Sequence, residues 1–194
     1  MTLVKICGVT TVDDARVAAD CGADAIGLNF WPGSVRYLDL ERAAEIAAQI
    51  PPHVLRVGVF VDATEEMVRA ATAVAGLQVA QLHGTSAAPP GTRLWRACAA
   101  GSFVDDPTAE AFLVDTPAGS ARGGTGRTFD WSLARGLPGR IILAGGLGPD
   151  NVQEAIRAVR PWGVDACSRL ESSPGRKDWR KIEEFVQAVR AIES

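Results

Sequence analysis

The stretch LVKICGVTTVDDARVAADCGADAIGLN, residues 3–29, contains one complete strand–helix–strand unit. An apolar run opens it and a second apolar run closes it, and both predict short strands. Between them Thr11 is placed to cap a helix, with Asp14 at the third helical position, close to a capping box. This helix is expected to end before Gly22. Two strands joined by a crossover helix lie parallel to each other.

The same alternation repeats along the rest of the chain. Six further strands are predicted, at residues 55–61, 79–82, 94–97, 111–114, 140–144 and 164–166. Most read as continuous apolar runs, which is typical of strands buried on both faces. Eight strand–helix units predict an α/β fold whose parallel sheet closes into a (β/α)8 barrel. The alternative is an open α/β sheet with fewer strands, because strands four to six are weak and little helix follows the fourth.

Composition and charge argue against several classes of binding partner. The 194 residues suit one domain, and the net charge of −3 comes without any block of Lys and Arg, so no nucleic acid partner is expected. No apolar run approaches the ~18 residues of a membrane helix, and the first residues lack the pattern of a signal peptide. Four scattered cysteines and two histidines indicate neither a disulfide framework nor a metal site. We expect a cytoplasmic protein without membrane partner or metal.

Catalytic groups of such barrels lie at the carboxyl ends of the strands. Cys7 ends the first strand beside Lys5, and this neighbour favours a thiolate over an inert buried thiol. Asp115 ends the sixth strand and is followed by a polar glycine-rich stretch rather than a helix, which argues against a capping role. Residues 118–128 of that stretch are the expected mobile loop over the site.

The last two strands predict a phosphate site. Gly145 and Gly146 form a turn that leads into a helix, where backbone N–H groups and the helix dipole favour an anion. Ser168 follows the eighth strand, as in the common phosphate site of these barrels. Asp165 lies just before it, at the end of the same strand.

Two further residues are candidate substrate contacts. Arg36, in the loop after the second strand, can hold a planar carboxylate with two parallel hydrogen bonds; otherwise it is a solvated loop arginine. His83 ends the fourth strand and is as readily a structural residue as a substrate contact.

Seven motifs follow one another along nearly the whole chain. They are KICG at 5–8, GLNFWPGSVRY at 27–37, VGVFV at 57–61, QLHG at 81–84, VDT at 114–116, GGTGRTFDW at 123–131 and LAGGLGPDNV at 143–152. Through them the sequence resembles the N-(5′-phosphoribosyl)anthranilate isomerase family of tryptophan biosynthesis. The resemblance implies a single-domain (β/α)8 TIM barrel over residues 1–194, active as a monomer or homodimer.

The resemblance also implies a reaction and its residues. The reaction is a cofactor-free Amadori rearrangement of a small phosphorylated substrate, N-(5′-phosphoribosyl)anthranilate, to 1-(2-carboxyphenylamino)-1-deoxyribulose 5-phosphate. Asp115 is then the general acid on the ribose ring oxygen, and Cys7 the general base at C2′. Arg36 is expected to hold the anthranilate carboxylate. Such chemistry needs an aspartic acid that keeps its proton and a cysteine that loses its own near neutral pH.

Two positions depart from the family pattern. The family usually reads DVSSGVE after the eighth strand, whereas this chain reads DACSRLE, so Arg169 replaces the expected glycine. A left-handed backbone at Arg169 would cost roughly 1–2 kcal/mol, and its side chain would crowd the phosphate. The favoured interpretation is that Arg169 is tolerated or adds a charged phosphate contact. Thr85, in place of an acidic residue, is expected to be peripheral.

Two other functions remain open at this point. One is a dual-substrate barrel isomerase that also serves histidine biosynthesis; such enzymes use an aspartate at the end of the first strand, and Cys7 argues against this. The other is a non-catalytic barrel that binds phosphorylated ligands, which only Arg169 favours.

Overall fold

The computed structural model describes residues 1–115 and 130–192. Eight parallel strands form one closed barrel, in which each strand pairs with the next along the chain and the eighth pairs with the first. The strands are β1 (Leu3–Cys7), β2 (Ala25–Asn29), β3 (Leu55–Val61), β4 (Val79–His83), β5 (Arg93–Ala99), β6 (Ala111–Asp115), β7 (Ile141–Leu143) and β8 (Gly163–Ala166). The predicted barrel is confirmed, and the open-sheet alternative is wrong.

Five α-helices belong to the described residues: α1 (Val12–Asp20), α2 (Leu40–Ala47), α3 (Glu65–Ala75), α4 (Val152–Val159) and α5 (Trp179–Arg190). The predicted cap of α1 is confirmed, because Thr11 Oγ1 accepts a hydrogen bond of 3.1 Å from the backbone N–H of Asp14. The prediction of eight strand–helix units is wrong in the middle of the barrel, where no helix joins β4 to β5 or β5 to β6. Pro89 and Pro90 in the first of these connections disfavour a helix there.

Side chains alternate between the two faces of β1. Val4 and Ile6 belong to the large apolar cluster shared with the helices. Lys5 and Cys7 therefore point the other way, toward the barrel interior. The interior below them is closed by a second, smaller cluster that includes Trp95, which is fully buried. The fold thus directs Cys7 into the carboxyl-end opening of the barrel.

A small hairpin that the sequence reasoning did not predict follows β8. A short 3₁₀ turn (Ser168–Leu170) leads into β9 (Glu171–Ser173), which pairs antiparallel with β10 (Arg176–Lys177). The Thr10 hydroxyl donates a hydrogen bond of 2.6 Å to the carbonyl of Gly175 in the hairpin turn. This contact ties the hairpin to the loop after β1.

Three predictions concern residues that the structure does not describe. The expected mobile loop at 118–128, Thr116 of the VDT motif and most of the motif at 123–131 lie outside the described residues. Within the described part of the chain, no helix combines the length and apolarity needed to cross a membrane.

Candidate active site

A cavity of about 320 Å³ opens at the carboxyl ends of the barrel strands. It brings together eight residues predicted from the sequence: Cys7, Arg36, His83, Asp115, Gly145, Gly146, Asp165 and Ser168. Arg169, the remaining predicted site residue, is not part of the lining. Trp31, Val35 and Leu113 give the cavity apolar walls between these polar groups.

A buried ion pair lies at the base of the cavity. The Lys5 side chain is fully buried, and its Nζ lies 2.7 Å from Oδ1 of Asp165. Burial acts to lower the pKa of Lys5, but the negative charges of Asp165 and Cys7 and the hydrogen bonds to them together outweigh it, and the pKa is raised. Lys5 therefore remains an ammonium group two residues from Cys7 on the same face of β1.

Cys7 is ionised more readily than an ordinary cysteine. A hydrogen bond from the Cys167 thiol and the charge of Lys5 lower the pKa of Cys7 from 9.0 to about 7, against the opposing effects of burial and of Asp165. A large share of Cys7 is therefore thiolate at neutral pH. A thiolate facing a cavity can accept a proton from carbon.

Asp115 ends β6 and is half-buried in the lining. The backbone of this residue is fixed, because its carbonyl accepts a hydrogen bond of 2.8 Å from the N–H of Ala100. Asp115 and Cys7 line the same cavity from strands that β7 and β8 separate around the barrel.

Arg36 is held rigidly at the rim. Its Nε and Nη2 donate hydrogen bonds of 2.7 and 2.8 Å to the two carboxylate oxygens of Glu171. Lys177 adds a contact of 3.2 Å to the same carboxylate. Burial acts to raise the pKa of Glu171, but these cationic partners outweigh it and the pKa is lowered. These hydrogen bonds to Glu171 leave Nη1 of Arg36 without a hydrogen-bond acceptor among the described residues.

Gly8 lets the Arg36 side chain lie against the loop after β1. Its φ is 69°, which favours glycine, and a Cβ there would collide with the Arg36 side chain and lie 2.9 Å from the Cys167 sulfur.

The turn after β7 offers backbone donors. Gly145 and Gly146 have φ of 87° and 63°, a left-handed conformation that side chains disfavour. Asn151 fixes the turn: it accepts 2.8 Å from Gly148 N–H and donates 3.0 Å to the Gly146 carbonyl. In the described residues, the N–H groups of Gly145 and Gly146 donate to no protein acceptor. Such a turn can bind an anion.

Arg169 lies outside this turn. It belongs to the 3₁₀ turn after β8 and is not among the described residues with positive φ. The strain that a left-handed backbone at Arg169 would cause therefore does not arise. Its Nη2 donates hydrogen bonds of 2.9 and 2.8 Å to the Asp150 carboxylate, and its Nη1 donates 3.3 Å to the Gly146 carbonyl. The guanidinium thus braces the Gly145–Gly146 turn through Asp150 and Gly146.

Gln81 and His83 line the wall formed by β4. Gln81 Nε2 lies 3.3 Å from Nε2 of His83. The opposite amide atom, Gln81 Oε1, is buried and has no hydrogen-bond partner among the described residues. A buried acceptor of this kind calls for a donor, which a molecule bound in the cavity can supply.

Sequence reasoning missed Gln81, Cys167, Glu171 and Lys177 as site residues. The Pro174–Gly175 dipeptide is a turn signal that could have indicated a hairpin. Nothing local to the sequence shows that this hairpin packs against Arg36.

Comparisons with known proteins agree with this geometry. A family model described as N-(5′-phosphoribosyl)anthranilate (PRA) isomerase matches residues 4–188. A relative of that name from Solibacter usitatus is 43% identical over 97% of this chain and 98% of its own length. Another from Geobacter sp. strain M21 is 42% identical over 99% of this chain and all of its own.

Solved structures show the same fold. Phosphoribosyl anthranilate isomerase from Thermus thermophilus matches with a TM-score of 0.87 at 34% identity, covering 98% of this chain and 100% of that one. A phosphoribosyl anthranilate isomerase in complex with reduced 1-(o-carboxyphenylamino)-1-deoxyribulose 5-phosphate matches with a TM-score of 0.82 at 34% identity and the same coverage. A dimeric relative from Thermotoga maritima, solved in monomeric form, also matches with a TM-score of 0.82 at 34% identity, again with the same coverage.

Proposed function

This chain belongs to the N-(5′-phosphoribosyl)anthranilate isomerase family and is an isomerase of tryptophan biosynthesis, and we propose that Cys7 and Asp115 are its base and its acid. The observation that supports this assignment of roles is the cavity itself, which is lined both by a cysteine whose pKa is lowered to about 7 and by the carboxyl group of Asp115.

The order of strands explains how the substrate would lie between the two groups. The phosphate is held by the turn after β7 and by Ser168 after β8. β6, which bears Asp115, and β1, which bears Cys7, flank this pair of strands in the closed barrel. A ribose anchored by its phosphate is therefore placed with one catalytic group on each side.

The reaction then has one proton transfer from Asp115 and one to Cys7, followed by a tautomerisation. Asp115 gives its proton to the ribose ring oxygen as the C1′–O bond breaks, and the anilino nitrogen forms a Schiff base with C1′. The Cys7 thiolate next removes the C2′ proton, and the electron pair of that C–H bond neutralises the iminium group to give an enolamine. The enolamine tautomerises to the aminoketose, so substrate and product are isomers.

The anthranilate end meets Arg36. Nη1 of Arg36 faces no acceptor among the described residues, whereas Glu171 fixes the orientation of the guanidinium plane. Trp31 and Val35 lie in the same part of the lining and can pack on the aromatic ring. We propose that Nη1 donates to the anthranilate carboxylate.

Replacing Arg36 by methionine is expected to raise KM about 30-fold while kcat changes by less than about fivefold, because a charged hydrogen bond to bound substrate is lost. Methionine keeps an apolar side chain over Gly8. Steady-state kinetics check this, with Arg157→Met, an exposed helix position, as the matched control. A KM within twofold of the original, in a folded variant, would remove Arg36 from the substrate site.

Activity is expected to rise with pH through about 7, because Cys7 acts only as its thiolate and its pKa is lowered to about 7. Below pH 6, kcat/KM should fall about tenfold for each pH unit, as the thiolate fraction does. Initial rates between pH 5 and 8 measure this limb. A flat profile over that range would exclude Cys7 as the base.

The function is tested in cells by complementation. The gene is expected to restore growth without tryptophan to a bacterial strain lacking the isomerase, whereas the Cys7→Ala/Asp115→Asn double variant is not. A soluble protein that fails to restore growth would favour the non-catalytic alternative. Assaying the histidine-pathway aminoaldose separates the dual-substrate alternative, for which turnover of both compounds is required.

We further propose that residues 1–194 act as one barrel domain in the cytoplasm, on a small phosphorylated substrate and without cofactor, metal or nucleic acid partner. A monomer or homodimer fits this function, and a dimeric relative exists in Thermotoga maritima.

A further inference from the structure

A second cysteine faces Cys7 from the neighbouring strand. The pairing of β1 with β8 matches Val4 with Val164 and Ile6 with Ala166. Continued by one residue, the same register sets Cys7 beside Cys167. Neighbouring strands lie about 4.8 Å apart, so the two thiols are within reach of each other. Both residues line the cavity.

Lys177 holds Cys167 from the opposite side. The Lys177 side chain is fully buried, and its Nζ donates a hydrogen bond of 3.0 Å to the Cys167 carbonyl and lies 3.9 Å from the Cys167 sulfur. The sulfur therefore accepts from an ammonium group on that side. Its own hydrogen is left to donate elsewhere, and Cys7, which the strand register sets beside it in the same cavity lining, offers a sulfur acceptor.

We infer that Cys167 is a positioning residue that donates its S–H hydrogen to the sulfur of Cys7, while Lys177 fixes the direction of that donation. The inference rests on the proposed role of Cys7 as the base. A hydrogen bond of this kind stabilises the thiolate and holds its lone pair in one orientation. Cys167 touches no reacting atom, so its effect on the reaction passes through Cys7.

The charged groups around Cys7 and Cys167 favour a state in which Cys7 is ionised and Cys167 keeps its proton. Lys5 faces the pair from β1, Arg36 from the loop after β2, and Lys177 from the hairpin. Two carboxylates pair with these three cations: Asp165 with Lys5, and Glu171 with both Arg36 and Lys177. The hydrogen bond to Cys7, together with burial, raises the pKa of Cys167 well above its ordinary value. The same bond lowers that of Cys7.

The test is the pH dependence of Cys7 alkylation by iodoacetamide, followed by peptide mass spectrometry. In Cys167→Ala the rate at Cys7 is expected to fall about tenfold at pH 7, because a hydrogen bond to a charged group is lost. At pH 10 the rate should equal or modestly exceed that of the unchanged protein, since a more basic thiolate is more nucleophilic. Cys167→Ser, whose hydroxyl also donates, should stay within about threefold at both pH values.

Steady-state kinetics of the isomerisation test the role of Cys167 independently. Cys167→Ala is expected to lower kcat about tenfold at pH 7 with KM unchanged, and at pH 9 its kcat should approach that of the unchanged protein at the same pH. An alkylation profile identical to that of the unchanged protein, or alkylation of Cys167 in preference to Cys7 at pH 7, would overturn the inference. Because alkylation needs no turnover, a shifted Cys7 profile in a protein that does not isomerise the substrate would contradict the proposed function and leave this inference standing.

Discussion

Replacing Cys7 by serine is expected to lower kcat about 10³- to 10⁴-fold and to leave KM within about threefold. Serine occupies nearly the same volume, so the fully buried Lys5 and its partner Asp165 keep their places. A hydroxyl group, however, is not ionised near neutral pH, and the C2′ proton then has no strong base. The loss therefore falls on the chemical step rather than on binding.

The matched control is Cys21→Ser, which changes the same atom at the C-terminal end of α1, outside the cavity lining. Its kcat and KM are expected to stay within twofold of the unchanged protein. A Cys7→Ser variant that keeps more than a tenth of the original kcat would show that another group removes the C2′ proton.

Replacing Asp115 by asparagine is expected to lower kcat about 10³-fold, because the amide has the shape of the carboxyl group but cannot give up a proton to the ring oxygen. The substrate should still bind, since the Gly145–Gly146 turn and Arg36 are unaffected. Steady-state kinetics and a binding titration with a product analogue measure the two effects separately.

Asp105→Asn, an exposed change in the connection between β5 and β6, serves as the control and is expected to leave the kinetics unchanged. If Asp115→Asn kept kcat and instead raised KM by more than tenfold, Asp115 would be a binding group and ring opening would need a different acid.

The barrel and much of the cavity follow from local patterns in the sequence. Apolar runs alternate with capped helical stretches, and this pattern sets the parallel strands. Because the carboxyl ends of parallel strands meet at one face, the amino-acid sequence alone is enough to group Cys7, Asp115 and the Gly145–Gly146 turn. Local sequence patterns are enough to predict the position of a site residue when that residue lies at the end of a predicted strand.

Residues placed by long-range packing could not be predicted in this way. Glu171 and Lys177 contact the cavity residues Arg36 and Cys167 only because the hairpin after β8 packs against the loop that bears Arg36. The Glu171 partner Arg36 is 135 residues away in the chain, and Lys177 meets Cys167 only across the fold of the hairpin. Nothing in the local sequence encodes such contacts.

The contacts of Arg169 also could not be predicted from the local sequence. Comparison with the family motif leaves strain or crowding open at this position and favours an Arg169 that is tolerated or adds a phosphate contact. The 3₁₀ backbone removes the strain, and the salt bridge to Asp150, 19 residues earlier, turns the side chain away from the cavity lining. The outcome depends on a distant partner, which the motif alone does not reveal.

The most direct test of the central claim is turnover of purified N-(5′-phosphoribosyl)anthranilate by the purified protein and by its Cys7→Ser/Asp115→Asn double variant, with product followed by chromatography. We expect many turnovers by the unchanged protein and none above the uncatalysed rate by the folded double variant. A folded unchanged protein that forms no product, or a double variant that forms product at the original rate, would contradict the assignment of Cys7 and Asp115 as base and acid of this isomerase.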